Sequence, residues 1–451
     1  VLTSLSLAGL SFALLQSMVA PALPAMARDF ESSGGDVAWV MTVYLLVASV
    51  ATPIAGRLGD MFGKRRLTLV SLACLAIGSV ISALAPTMGL LITGRALQGA
   101  AGAVVPLSIA IIRDELPRAK VSMAVALMSA LFGIGGGVGI VVGGPIVDQL
   151  SWQWLFWIPL ILTVLAIVGV ALAIPESRVR TPGRVDAAGA LLLSGGIAPI
   201  LLAVSKGQAW GWTSVTTLGL LAAGVVALVL CVVVELRVRE PLLDMRTMAL
   251  RGVWTTNVVG LAFGFLMFGM FVLVPQLLQM PESSGYGFGM SATSAGLFLL
   301  PAAVAMVVAG LLAGALESTL GPKRSLILAA AISAIAFAVP AIGHGSTTSL
   351  ILLALLCGAG VGFAFAAMSH AIIAAVPANQ TGVATSMNAI SRTMGGALGT
   401  AILAQVLTSR VDGAGTPLDS GFTTGFWVCV AVAVVALLAA AVLPARRATA
   451  H

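Results

Sequence analysis

The sequence predicts an all-α integral membrane protein, and three observations predict it. Apolar side chains make up 59% of the 451 residues and charged ones only 9%, with a mean hydropathy of +1.09, whereas a soluble domain carries about 25% charged residues. Apolar runs of bilayer-crossing length recur from end to end, broken by Gly, Pro and charge clusters. Lys and Arg concentrate in every second connection between those runs. Fourteen spans of roughly 22 residues use about 308 positions and leave about ten for each connection or tail. No soluble domain fits in what remains.

In order, the runs fall at about 1–27, 37–56, 67–85, 88–112, 121–147, 153–175, 187–205, 215–235, 253–280, 292–316, 325–343, 349–375, 381–409 and 421–443. An even number puts both termini on one side. Eighteen Lys and Arg residues fall in connections and tails on that side, against three (Arg28, Lys206 and Arg410) on the other and two (Arg95 and Arg392) inside spans. The expectation is a multi-pass protein of the cell (inner) membrane with both termini cytoplasmic. The net charge of +7 follows from this orientation, and no nucleic-acid partner is expected. Trp39, Trp152, Trp154, Trp157, Trp210, Trp212 and Trp427 lie at or near outer span ends, where an amphipathic ring anchors at the interface. Val1 lies inside an apolar run, so further residues are expected ahead of it.

Two echoes divide the chain. Gly56-Arg57-Leu58-Gly59-Asp60-Met61-Phe62-Gly63-Lys64-Arg65-Arg66 recurs 258 residues later as Gly314-Ala315-Leu316-Glu317-Ser318-Thr319-Leu320-Gly321-Pro322-Lys323-Arg324. At an offset of 260, Gly135, Gly136 and Gly139 pair with Gly395, Gly396 and Gly399. Each echo joins equivalent positions of two six-span units. The expected organisation is a six-helix half at 1–180, two inserted helices with linkers at 181–250, and a second six-helix half at 251–451. Parallel repeats of this kind build transporters, with the substrate site between the halves near midplane.

Several residues carry chemistry in this frame. Gly135, Gly139 and Gly143, followed by Gly144, recur every four residues and form a groove for another helix, either a static packing face or a moving contact. Arg95 and Arg392 lie within spans, where a cation costs at least about 2.5–3.5 kcal/mol unless paired or hydrated. For Arg95, capping of backbone carbonyls is the plainer reading. Span 9 carries Phe263, Phe265, Met267, Phe268, Met270 and Phe271, and span 12 carries Phe363, Phe365 and Met368. Such stripes suit lipid or core, and equally a pliable lipophilic cavity, to which Gln16, Gln98, Asn257, Gln276 and Asn388 would add sparse polar contacts. None of the sixteen acids is clearly at midplane. Cys74, Cys231, Cys357 and Cys429 read as small core hydrophobes. His344, His370 and His451 form no metal motif, and neither a hydrolase motif nor a phosphate-binding loop occurs. Neither an enzyme nor an ATP-driven pump is expected.

The residues resemble the major facilitator superfamily, and within it the fourteen-span drug/proton antiporters. Gly56-x-Leu-x-Asp60-x-x-Gly63-Lys64-Arg65 is similar to its cytoplasmic loop signature, Leu91-x-x-x-Arg95-x-x-Gln98-Gly99 to its fourth-span motif, and Gly135-x-x-x-Gly139-x-x-x-Gly143-Gly144 to its antiporter motif. Trp39 to Leu46, Asp186-x-x-Gly189, Gly207-x-x-Trp210-Gly211-Trp212 and Asn388-x-x-x-Arg392-x-x-Gly395-Gly396 match secondary features of that branch. The resemblance implies a major facilitator fold, a cytoplasmic gate in which Asp60 meets Arg113 or the start of span 13, and a fifth span facing span 10. Two departures stand out. Ile140 replaces the usual Pro of the antiporter motif, and Gln16 replaces the usual first-span acid. Proton coupling then falls to another group, with Asp36, Asp148, Glu282 and His370 as candidates.

The expected function is a monomeric efflux transporter for lipophilic drugs or natural products, working by alternating access on the proton gradient and without a cofactor. The competing readings are an exporter of one endogenous metabolite, lipid or lipophilic anion, and a non-transporting sensor.

Overall fold

Proline, glycine and charge clusters stop the helices, and long apolar runs sustain them. A computed structural model describes residues 1–32, 34–117, 124, 128, 135–136, 138–139, 141–176, 186–238, 241, 245–376, 381–411 and 416–444. Of these, 34–35, 53, 57, 60, 113, 187, 205, 208–209, 314–319, 381–383 and 386 are described by backbone alone. The first span is α1 (Leu2–Ser17), a 3₁₀ turn at Ala20–Ala22 and α2 (Leu23–Asp29), interrupted around Pro21 and Pro24. Next come α3 (Gly34–Phe62) and α4 (Lys64–Ala83). The fourth span is α5 (Met88–Gly99), a 3₁₀ turn at Ala100–Ala103 and α6 (Val104–Glu115). Of the fifth span, α7 covers 141–149, followed by α8 (Trp154–Ala173). The inserted pair is α9 (Ala187–Trp210) and α10 (Val215–Glu235). After the short α11 (Met245–Met248) come α12 (Arg251–Gln279), α13 (Ala292–Leu297), α14 (Leu300–Ile342), α15 (Thr347–Ala375), α16 (Thr381–Thr408) and α17 (Asp419–Val442). Among the described residues, eleven helices are long and apolar enough to cross a bilayer. There is no sheet among the described residues, only an isolated antiparallel bridge between Val411 and Pro417.

The repeat is visible in the backbone. Gly63 separates α3 from α4 at φ 113°, and Gly321 breaks α14 at φ 69°. A side chain at positive φ is strained, so glycine is the residue that turns one span directly into the next there. The two positions are those matched by the first sequence echo. The glycine echo holds as well. Gly135 and Gly139 press on α1, the first helix of the first half, while Gly395 and Gly399 press on α12, the first helix of the second.

α3 packs along α16 and joins the halves, and α9 touches both α3 and α16 beside that seam. The inserted pair is therefore not detached: α9 packs on α10 and also lies against the joint between the halves. Exposed Trp154, Trp210, Trp212 and Trp427 fit an interfacial belt. Trp152 does not. Only 4% exposed, it donates from Nε1 to Asp29 at 2.7 Å and stacks with Phe30 and Phe156, so it closes the end of the first half instead of anchoring in lipid. Cys231, Cys357 and Cys429 are buried and Cys74 half-buried, all as free thiols.

Candidate functional site

Arg95 is fully buried. Its Nε donates to the carbonyl of Val40 at 2.9 Å, and its Nη1 donates to the carbonyl of Leu15 at 3.0 Å and to Gln98 Oε1 at 2.7 Å. Gln98 passes the chain on to Ser79 Oγ at 3.0 Å. The guanidinium lies 4.3 Å from the centre of the Tyr44 ring, whose hydroxyl donates to the carbonyl of Phe12. Arg95 thus ties α1, α3 and α5 together, and Gln98 adds α4. The expectation that Arg95 and Gln98 line a cavity is corrected here. Both are 0% exposed, and the Leu15 carbonyl in the last turn of α1, the Val40 carbonyl of α3 and Gln98 Oε1 supply the partners that a cation at this depth requires. Phe268, also expected in the cavity, is core: it is 2% exposed and packs edge-on against Phe271 and against Gly396.

In the second half the structure brings four expected residues into one cluster. Asn388 Nδ2 donates to the carbonyl of Thr256 at 3.0 Å and to Asn257 Oδ1 at 3.3 Å, and lies 3.8 Å from Met368 Sδ. One turn along α16, Arg392 Nη1 reaches Asn388 Oδ1 at 3.5 Å, and its guanidinium sits 4.5 Å from the centre of the Phe365 ring. Arg392 and Phe365 are half-buried. Gln16 and Gln276 are half-buried on α1 and α12. Their spacing was a missed signal, since 276 − 16 gives the same offset of 260 as the glycine echo, and these two amides are repeat mates.

Between described residues, the halves are hydrogen-bonded at three places, all toward the face opposite the Lys/Arg-rich one. Thr42 and Thr400 share a buried bond of 2.9 Å, a pair that nothing in the sequence singles out. Gln279 Nε2 donates to the carbonyl of Pro21 at 3.2 Å. Asp148, at the end of α7, accepts from the backbone N–H groups of Ala292 at 3.3 Å and Thr293 at 2.6 Å. The glycine stripe proves to have two faces. Gly135, Gly139 and Gly143 meet Ala13, Ser17 and Met18 of the same half, and only Gly144 meets Ala292 and Thr293 of span 10. The expectation that the whole stripe faces span 10 is corrected. Residues four apart share a face, while Gly144, one residue on, is turned by about 100°. Gly139→Leu should therefore destabilise the first half by about 1–3 kcal/mol through overpacking, seen as a lower melting temperature in detergent. Gly144→Ala should spare that melting temperature and hinder only the approach of the halves, seen as increased thiol labelling of a Thr293→Cys reporter. Equal loss of stability in both variants would contradict this division.

At the Lys/Arg-rich face, Lys64 donates to Asp114 at 2.7 Å, Arg65 to the carbonyl of Ala171, and Arg66 pairs with Glu176 at 3.4 Å. These contacts fix the Gly63 loop to α6 and α8 within the first half. Gly56 has open space around it. The side chains of Asp60 and Arg113, and residue Ile140, lie outside the described residues. Asp36 pairs with Lys206 of α9. Glu282 is exposed in a 3₁₀ turn, and His370 is exposed on α15. Partial burial of Asp148 would raise its pKa, but the hydrogen bonds from Thr293, Ser291 and Ala292 together outweigh it and hold the carboxyl below its ordinary value.

The sequence pattern of the Major Facilitator Superfamily matches residues 5–285 and again 259–451. The chain is 31% identical over 409 residues to a tetracenomycin C resistance and export protein of Streptomyces glaucescens, covering 88% of this chain and 74% of that one. It is 28% identical over 416 residues to a multidrug transporter protein of Bacillus subtilis (strain 168), covering 91% and 75%. The crystal structure of a peptide transporter in complex with sulfate superposes with a TM-score of 0.70 at 16% identity, over 97% of this chain and 93% of that one. Family matches that together span the chain, a shared fold and relatives aligned along most of their length place this chain in the major facilitator superfamily, as a multi-pass membrane transporter and not an enzyme.

Proposed function

We propose that the protein exports lipophilic, drug-like molecules by alternating access in exchange for protons, as a monomer in the cell membrane. The Lys/Arg-rich face and both termini are cytoplasmic in this reading, supported by eighteen cations against three. The observation that carries it is the position of the joins. The described cross-half bonds gather at the far face, while α12, α15 and α16 hold amide, thioether, aromatic and guanidinium groups deeper along the second half. This supports a state in which the substrate path is shut toward the outside. The Gly56–Arg66 loop, with Asp60 and Arg113, would close the cytoplasmic side in the other state. The names of the relatives favour export of drugs and natural products over uptake.

The test is flux. Purified protein in liposomes should move a lipophilic fluorescent dye when a pH gradient is imposed, and a protonophore should abolish the movement. Flux that persists after collapse of both pH gradient and membrane potential would refute proton coupling. Binding without flux would identify a sensor.

A further inference from the structure

We propose that Arg392, Phe365 and Asn388 form a subsite for the anionic group of an aromatic, lipophilic substrate. This deepens the export reading and rests on it. The two deep arginines are the point of departure, because they are treated oppositely. Arg95 is sealed, with acceptors on Val40, Leu15 and Gln98. Arg392 has one hydrogen bond, at the 3.5 Å limit, and no carboxylate partner among the described residues. Of the five N–H donors of a guanidinium, most are left to something else.

Position decides what that is. Arg392 is eleven residues into α16, about 16 Å along the helix and near the middle of a hydrocarbon core about 30 Å thick. The side chain is half-buried, so its open side faces either acyl chains or the cleft between the halves. A cation with open donors has no compensation among acyl chains. α16 also packs along α3 of the other half, which sets it at the joint between the halves, where the export reading puts the substrate path.

Its surroundings preorganise the group. Asn388 spends Nδ2 on the carbonyl of Thr256 and on Asn257 Oδ1, which leaves Oδ1 to turn toward Arg392. Gly260 and Gly264 let α12 press against Asn388 and the Arg392 backbone, so the stem is confined. Phe365 covers one face of the guanidinium. The remaining N–H edge suits a planar carboxylate or phenolate, and Phe365 and Met368 suit the aromatic body attached to it. A permanent dication would meet repulsion here.

The experiment compares a carboxylated aromatic dye with its methyl ester, equal in shape and lacking the charge, in proteoliposomes. Wild type is expected to carry the acid at least as well as the ester. Arg392→Gln should lower the acid-to-ester ratio about tenfold, the equivalent of about 1.4 kcal/mol, with ester flux retained. Arg392→Lys should fall between, and Asn388→Asp should lower the ratio by adding a competing carboxylate. A ratio unchanged across the variants, or equal loss of both dyes in each, overturns the subsite. If wild type carries neither dye, the export reading fails by itself. The subsite is then judged by fluorescence polarisation of the purified protein: acid binding weakened in Arg392→Lys with ester binding intact supports it, and equal binding of both refutes it. Ester flux that drops when chloride is replaced by gluconate would assign the position to an inorganic anion and overturn the proposal.

Discussion

Arg95→Met should be among the most damaging single substitutions in the first half, with a lower detergent melting temperature and reduced monodisperse yield. It leaves Gln98 Oε1 and the carbonyls of Val40 and Leu15 without their donor and removes the cation from the Tyr44 ring. Hydrogen bonds to a charged group contribute about 1.5–3 kcal/mol each, yet bonds between membrane helices average only about 0.6 kcal/mol, because the unfolded chain in the bilayer also finds partners. Removing the guanidinium also relieves its own desolvation. Orphaned acceptors decide the balance, and a net loss of about 2–4 kcal/mol is expected. Arg95→Lys should not rescue, since one ammonium cannot span carbonyls on α1 and α3 while stacking on Tyr44. The double variant Arg95→Met, Gln98→Met should cost less than the sum of the singles, because the second change removes the acceptor stranded by the first. A wild-type melting temperature for Arg95→Met would show that the network contributes little.

Arg95 also marks where sequence reasoning stops. That a cation at this depth needs partners is legible from its place in an apolar run. That two of the partners are backbone carbonyls, Leu15 in the last turn of α1 and Val40 within α3, is not, because every helical residue offers a carbonyl and only helix packing decides which ones a side chain reaches. Eleven of the fourteen expected spans, the echo between the two stretches and the turns at Gly63 and Gly321 were legible because each rests on local composition or on spacing along the chain. The second-half cluster was legible as a set of residue types, since Asn257, Met368, Asn388 and Arg392 are all unusual in spans, but the Phe365 platform was lost among other phenylalanines. Which face of the glycine stripe meets which helix depends on rotation of the fifth span, which spacing alone does not fix. The same holds for Thr42 and Thr400, ordinary residues made important only by helix crossing.

Asp148→Asn should weaken closure of the far face by about 1–2 kcal/mol, the usual worth of a helix-capping side chain, shifting the closed-to-open ratio about 5–30-fold. The carboxylate accepts from Ala292 and Thr293 at the start of α13, where N–H groups lack helical partners and the helix dipole favours negative charge. Asparagine can accept one of these bonds but brings no charge. The pH dependence follows from the lowered pKa of Asp148 in this closed state. A carboxyl with a depressed pKa contributes its stabilisation above the ordinary value of about 3.9 and loses it as pH falls through the lower, closed-state value. Closure should accordingly be flat from about pH 8 to pH 5 and weaken only below about pH 4. The groups that face Asp148 are Ser291, Ala292 and Thr293, none of which titrates in that range. In this state, then, Asp148 stays ionised at working pH and serves as a latch, which argues against its carrying the coupling proton. Thiol labelling of Thr293→Cys in wild-type and Asp148→Asn backgrounds across pH is the measurement. Labelling that rises between pH 7 and pH 5 in the wild-type background, and not with Asp148→Asn, would make Asp148 the proton carrier after all.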